Sequence, residues 1–200
     1  MVQIEQLRMT VYASLLAALI AVGSYISVPI GEIPIVLQNL FVMLAGLLLG
    51  SRWGLAAVAV YLTAGALGLP VFAGGKGGIG HFAGPTGGYL IGYIPAVYVI
   101  GFFSEKGKQR MIFDVIGMIL GAAFVYALGV IQLKTVAGMS FAKAIMVGMY
   151  PFLVFDLVKI IAAASIAKAL RPMIKISDFS EFKQAPESLA KAQSPQRNRG

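Results

Sequence analysis

Apolar residues in this chain come in long uninterrupted runs, not in the alternation of a half-buried strand or the one-sided stripe of a soluble helix. Runs near Met9 to Val28, Ile35 to Leu49, Trp53 to Leu69, Thr86 to Phe103, Met111 to Leu133 and Pro151 to Leu170 are bounded by charges, Pro or Gly. A helix needs roughly 20 apolar residues to cross the ~30 Å hydrocarbon core of a bilayer, and in lipid it satisfies its own backbone hydrogen bonds. The pattern predicts an all-α integral membrane protein, a bundle of about six transmembrane helices. The second run is short, so its outer end is expected to begin in the Val28 to Pro34 loop. Pro29 and Pro34 frame that loop and Pro70 closes the third helix, as expected of a residue that lacks an N–H donor. The segment Thr135 to Met149 is mildly apolar and is expected to lie at the interface or to re-enter. After Ile176 the residues turn to Ser, Pro, Gln, Lys and Glu without periodicity. Residues 1–176 therefore read as one transmembrane domain, and residues 177–200 as a polar cytoplasmic tail, expected to be disordered.

Composition agrees, since 58% hydrophobic and 12% charged residues leave more apolar surface than a soluble globule can hide. Membrane lipid is the medium implied. The first run is long enough to span and no small-residue cleavage site follows it, so it reads as the first transmembrane helix and not as a cleaved leader. Cysteine is absent and His81 is the single histidine, which removes disulfides, thiol chemistry and the common metal-ligand sets. The net charge of +8 is a topology signal. One side receives Arg8, Arg52, Lys106, Lys108, Arg110, Arg171 and the basic tail, and the other only Lys76, Lys134 and Lys143. Both termini are then expected in the cytoplasm, with the loops around Glu32, Gly74 to Gly80 and Thr135 to Met149 outside, and no nucleic-acid partner is expected.

Ionisable residues inside a span cost several kcal/mol unless they are paired or line a water-filled cavity. Asp114 lies four residues from Arg110, which predicts a structural pair at the start of its helix. Asp156 and Lys159 lie about two turns into the last helix, and their spacing puts them on one face. They either neutralise each other inside the bundle or face an outward cavity, where a cyclic urea could donate its N–H groups to Asp156 and accept from Lys159. Lys159 could instead hold a ligand carboxylate.

The stretch from Ala73 to Gly80 formally contains G-x-G-x-x-G, but the strand and βαβ unit that give this pattern meaning are absent. A phosphate-binding Walker loop fails too: Pro70 stands where its first Gly should be and Gly77 where Ser or Thr should be. The glycines suit either a loop that closes over a ligand or a plain flexible connection. Gly84, Gly88 and Gly92 recur at four-residue intervals, which permits close approach of a helix or a ligand. Tyr89 and Tyr93 share a face and fit either ligand contact or interfacial anchoring. Ala13, Ala17 and Ala21 repeat a small-xxx-small pattern suited to packing inside the bundle or against another chain. Gln38 and Asn39 add neutral polar groups near the mouth. No paired acids, metal cluster, or nucleophile with a base points to an enzyme.

Several segments in order resemble the BioY family, the biotin-specific substrate-binding components of energy-coupling factor transporters. They are Gly84-Pro85-Thr86-Gly87-Gly88-Tyr89-Leu90, Ile33-Pro34-Ile35-Val36-Leu37-Gln38 followed by Leu44-Ala45-Gly46, Gly68-Leu69-Pro70-Val71-Phe72-Ala73-Gly74, and Asp156-Leu157-Val158-Lys159. The resemblance runs from the first helix to the last. It implies a six-helix bundle in the cell's inner or plasma membrane that captures biotin near its outer face. Asp156 and Lys159 would contact the ligand, with Gln38, Thr86, Gly88 and Tyr89 as further lining residues. It also implies that Ala13, Ala17 and Ala21 meet a transmembrane coupling subunit driven by two ATPase subunits. No cofactor is implied, biotin being cargo. Lys76 and His81 depart from the small or neutral residues expected in their loop. Other readings compatible with the fold are a substrate-binding component for a different vitamin and a solitary biotin transporter.

Overall fold

The second and third apolar runs are joined: Gln38–Ala66 forms one helical stretch, α2, interrupted only at Gly50. The computed structural model describes residues 2–28 and 34–176, so the expected polar tail lies outside the described residues. Helix α1 is Val2–Tyr25. The two-residue strands β1 (Ser27–Val28) and β2 (Ile35–Val36) then pair antiparallel, Ser27 opposite Val36 and Val28 opposite Ile35. After α2 come a short 3-10 helix, Ile79–Ala83, then α3 (Gly87–Lys106) and α4 (Met111–Ala137). The chain ends its described part with α5 (Phe141–Gly148) and α6 (Tyr150–Ile176). The outer segment expected at the interface thus forms the short helix α5.

Among the described residues, five helical stretches are long and apolar enough to cross a membrane, and α2 is one of them. Were α2 straight, residues 38 and 61 would lie about 34 Å apart at the α-helical rise. Instead the Gln38 side-chain amide donates to the Tyr61 hydroxyl at 2.8 Å, so α2 is folded into a hairpin and contributes two passes. Gly50 makes the reversal with φ 78° and ψ −173°, a conformation essentially confined to glycine. The second arm begins at Ser51, whose backbone N–H and hydroxyl both donate to the Glu105 carboxylate, at 2.8 and 3.0 Å. A carboxylate there satisfies a helix-start N–H and suits the positive end of the helix dipole. The first arm, residues 38–49, is only about 18 Å long, and the extended residues before it add about 10 Å. That addition brings the pass close to bilayer thickness, as the short second run required.

Ala13 and Ala17 are 4% and 5% exposed and join Leu16 and Ile20 in the core shared with Val42, Ala45, Ala57, Val58 and Tyr61 of α2. Ala21 is half-buried against the same core. Ala13 and Ala17, expected to meet another subunit, are thus covered by the chain's own bundle, and Ala21 in part. The small residues that α1 turns outward are Ser14 and Ala18, between exposed Val11, Leu15 and Val22. Gly88 and Gly92 form the seam between α3 and α4: a Cβ on Gly88 would stand 2.3 Å from the Leu128 carbonyl, and one on Gly92 2.8 Å from the Val125 Cα. Around the outside, Leu7, Ile119, Ile131, Leu157, Val158 and Ile161 are exposed, a surface suited to lipid.

At the basic end of the bundle, Asp114 pairs with Arg171 of α6 and not with Arg110. Arg110 is exposed, on extended backbone just ahead of α4, whereas Asp114 is 2% exposed and turned inward. Both Arg171 terminal nitrogens donate to the Asp114 carboxylate, at 2.6 and 3.0 Å. They donate also to the Gln109 carbonyl at 3.0 Å, the Leu47 carbonyl at 3.1 Å and the Ser104 hydroxyl at 2.8 Å. One guanidinium thereby ties together α2, α3, the turn before α4, α4 and α6.

Candidate binding site

At the opposite end the helices part around a narrow cavity of about 50 Å³, well below the usual volume of a small-molecule site. Lys159 and Phe152 of α6, with Val125 and Tyr126 of α4, line one side of it. Tyr89, Leu90 and Tyr93 of α3 and Gln38 and Asn39 of α2 form its sides. Pro34, Val36, Ala73, His81 and Thr86 line it from the connecting segments. Most of this lining is apolar or aromatic, with a few polar groups that can orient a ligand.

The i,i+3 spacing on α6 does what it predicts: Lys159 Nζ donates to Asp156 Oδ1 at 3.0 Å, with both residues buried. The Tyr126 hydroxyl donates to the other Asp156 oxygen. The two face different spaces, however. Lys159 lines this cavity, whereas Asp156 borders a smaller void shared with Asn39, Tyr93 and Val125, and a larger apolar cleft among α4, α5 and α6. Asp156 holds Lys159 and Tyr126 in place and keeps two bonded neighbours around a charge that would be costly in lipid if left alone.

The structure brings Gln38, Thr86, Tyr89 and Lys159 to one cavity, sets Asp156 directly behind Lys159, and leaves Gly88 outside it. Gly88 borders a shallow surface pocket with Leu128 and Gln132, because its backbone is pressed against α4. Gln38 turns its amide nitrogen to Tyr61 and keeps its oxygen as a second acceptor in the wall. Tyr89 donates to the Gly148 carbonyl at 2.9 Å, tying α3 to the end of α5. A Cβ on Gly148 would come within 2.4 Å of that hydroxyl.

The loop over the site is anchored. Gln132 of α4 donates from one amide nitrogen to the carbonyls of Phe82 and Gly84, at 2.6 and 2.7 Å. Ser24 of α1 donates to the Val71 carbonyl at 2.7 Å, and Tyr25 to the Pro70 carbonyl. A Cβ on Gly77 would lie 2.3 Å from the Leu69 carbonyl, so the fold of the loop itself demands glycine there. His81 stacks on the fully buried Phe72, with ring centres 5.0 Å apart and planes 18° from parallel. Its Nε2 lies 3.2 Å from the Thr86 hydroxyl. Burial, then the nearby Lys76 charge, holds the His81 imidazole below its ordinary pKa.

Sequence reasoning missed Tyr126 and Gln132. Each is a polar side chain inside the most apolar run, a signal that marks intramembrane groups with a job.

Over residues 1–176 the chain matches the model of the BioY family. It is 44% identical to the biotin transporter BioY of Thermotoga maritima over 167 residues, covering 84% of this chain and 98% of that one. It is 40% identical to the biotin transporter BioY of Rhizobium etli, covering 82% of this chain and 92% of the other. Among solved structures it is similar to the S-component for biotin from an ECF-type ABC transporter, with a TM-score of 0.81 and 32% identity over 86% of this chain and 95% of that one. Similarity of this extent in sequence and in fold means that the chain belongs to the BioY family.

Proposed function

We propose that this protein captures biotin from outside the cell as the membrane-embedded substrate-binding component of an energy-coupling factor transporter, with ATP hydrolysis supplied by partner subunits. The observation that carries the reading is the buried Lys159–Asp156–Tyr126 cluster, whose Lys159 and Tyr126 line a mostly apolar and aromatic cavity. A cyclic urea has two N–H donors flanking one acceptor. Lys159, held by Asp156, supplies a charged donor to the urea oxygen, while the Gln38 and Asn39 side-chain oxygens in the same cavity are acceptors for the N–H groups. The aromatic walls cover the apolar ring system and chain.

Charge sets the orientation. Placing the ligand carboxylate beside Asp156 would bury a second anion next to the first, which low dielectric penalises severely. The urea therefore points to Lys159 and the carboxylate away from it, toward the connecting segments where His81 lines the cavity. The positive-inside rule sets the cavity end outside and the end bearing Arg52, Lys106, Lys108 and Arg110 in the cytoplasm, with both termini. The coupling subunit docks on the outward small-residue face of α1 at Ser14 and Ala18.

The test is calorimetric titration of biotin into the detergent-purified chain, with Lys159→Met and Asp156→Asn variants whose melting shows that they fold. Tight one-to-one binding is expected for the parent chain. Truncating one partner of a buried charged contact costs roughly 2–5 kcal/mol, so affinity should fall by about 30-fold or more in Lys159→Met. No heat and no thermal stabilisation by biotin in folded protein would refute the ligand assignment.

A further inference from the structure

His81 is the chain's single histidine and lines the ligand cavity from the loop between α2 and α3. Lys159 lies nine residues below the outer start of α6, about 13 Å along the helix. A ligand with its urea at Lys159 and its chain directed to the connecting segments brings its carboxylate toward His81, which lines the same cavity from that side. The ring there is held on two sides, stacked on Phe72 and bonded through Nε2 to Thr86. Among the described residues, Nδ1 has no hydrogen-bond partner. A carboxylate only accepts hydrogen bonds. If His81 keeps Nε2–H on Thr86 and also donates from Nδ1 to a ligand, it does so as the imidazolium.

We infer that His81 makes capture proton-coupled: a ligand carboxylate entering the site draws a proton onto His81, so that binding strengthens as the outside becomes more acidic. This rests on biotin capture as the function and adds to it a residue that departs from the loop's expected composition. Lys76 on its own loop is the charged group near the ring, and the titratable groups that share its cavity are Tyr89 and Tyr93 on α3, Tyr126 on α4 and Lys159 on α6, which is paired with Asp156; α2 offers the neutral Gln38 and Asn39. Of these types only histidine ordinarily titrates between about pH 5 and 8.

In the empty site the imidazole pKa is depressed by burial and by Lys76. An anion beside the ring acts in the opposite sense and raises it. Because binding raises the pKa, affinity is greatest below the free-site value. It declines through the window between the free and bound values and levels off above it. A separation of about one unit corresponds to a tenfold change in affinity.

The competing arrangement is a neutral ring that donates from Nδ1 while Thr86 donates to Nε2, which would need no proton. Calorimetric titration of the full chain from about pH 5.5 to 8.5 separates them, in two buffers of different ionisation enthalpy. Across that range a carboxyl with a Glu-like pKa of about 4.3 stays ionised. Biotin binding to the parent chain should weaken by about tenfold across the range, with net proton uptake. His81→Gln, which keeps a partner for Thr86 but does not titrate, should bind with flat pH dependence and no uptake. Biotin amide, which lacks the anion, should give the same flat result with the parent chain and needs no variant. Flat biotin affinity without uptake in the parent chain, or an unchanged slope in His81→Gln, overturns the inference while leaving biotin capture intact. Failure of the parent chain to bind biotin at any pH overturns both.

Discussion

Replacing Arg171 with Met removes the cation that holds Asp114 in a nearly sealed site. The two side chains are 10% and 2% exposed, so solvent does little to screen the pair. Five hydrogen bonds from the guanidinium disappear with the side chain, and the Ser104 hydroxyl and the Leu47 and Gln109 carbonyls lose a donor together with Asp114. Breaking a buried ion pair from one side typically costs about 3–5 kcal/mol, because the remaining charge is left without compensation. For a chain of this size each kcal/mol lowers the melting temperature by roughly 2–4 °C, so Arg171→Met should melt about 6–20 °C below the parent. Removing both charges, as in Asp114→Leu with Arg171→Met, should recover much of that loss, since an apolar replacement of a buried pair is often neutral or better. Tryptophan or dye-reported melting in one detergent, at one scan rate, measures all three proteins. A single variant that melts within about 2 °C of the parent, or a double variant no better than the single, would refute the reasoning, because either result means that the charge on Asp114 was never the cost.

Two other substitutions probe the hairpin and the outer face. Gly50→Ala should destabilise by about 2–4 kcal/mol, since its backbone sits in a glycine region and a Cβ would stand 2.1 Å from Glu105 Oε1, displacing the carboxylate that caps Ser51. Gly80→Ala, with nothing within 4 Å of the added carbon, is the control and should melt like the parent. Ala18→Trp should leave biotin binding within about twofold while abolishing co-purification with the proposed coupling subunit, whereas Ala13→Trp, placed in the core, should reduce the yield of folded protein itself. Co-purification by an Ala18→Trp chain at parental level would remove this face of α1 from the interface.

The membrane class and the passes were legible from residue order alone, and the reason is local. Twenty apolar residues span a bilayer wherever they occur, and Asp156 and Lys159 share a helix face because three positions on an α-helix always do. Gln38, Thr86 and Tyr89 were expected near the site from the family resemblance, and in the fold they line one cavity with Lys159.

Pairings between distant segments were not legible. Asp114 had a cation four residues away, yet its partner is Arg171, 57 positions on, because burial and not sequence distance decides which charges must meet. Four-residue repeats of small side chains look the same whether they face inward or outward. Only the packed bundle shows Ala13 and Ala17 against α2 and Gly88 against α4, with Ser14 and Ala18 left outside. Tyr126 and Gln132 acquire their roles from contacts 30 and about 50 positions away, with Asp156 and with the loop carbonyls. The sequence by itself determined which segments enter the membrane and which side chains they carry, since hydrophobicity and helical period act over a few turns. Which of those side chains share a cavity, and which glycine turns one helix into two passes, was decided by tertiary packing, where close contact is set by the fold and not by spacing along the chain.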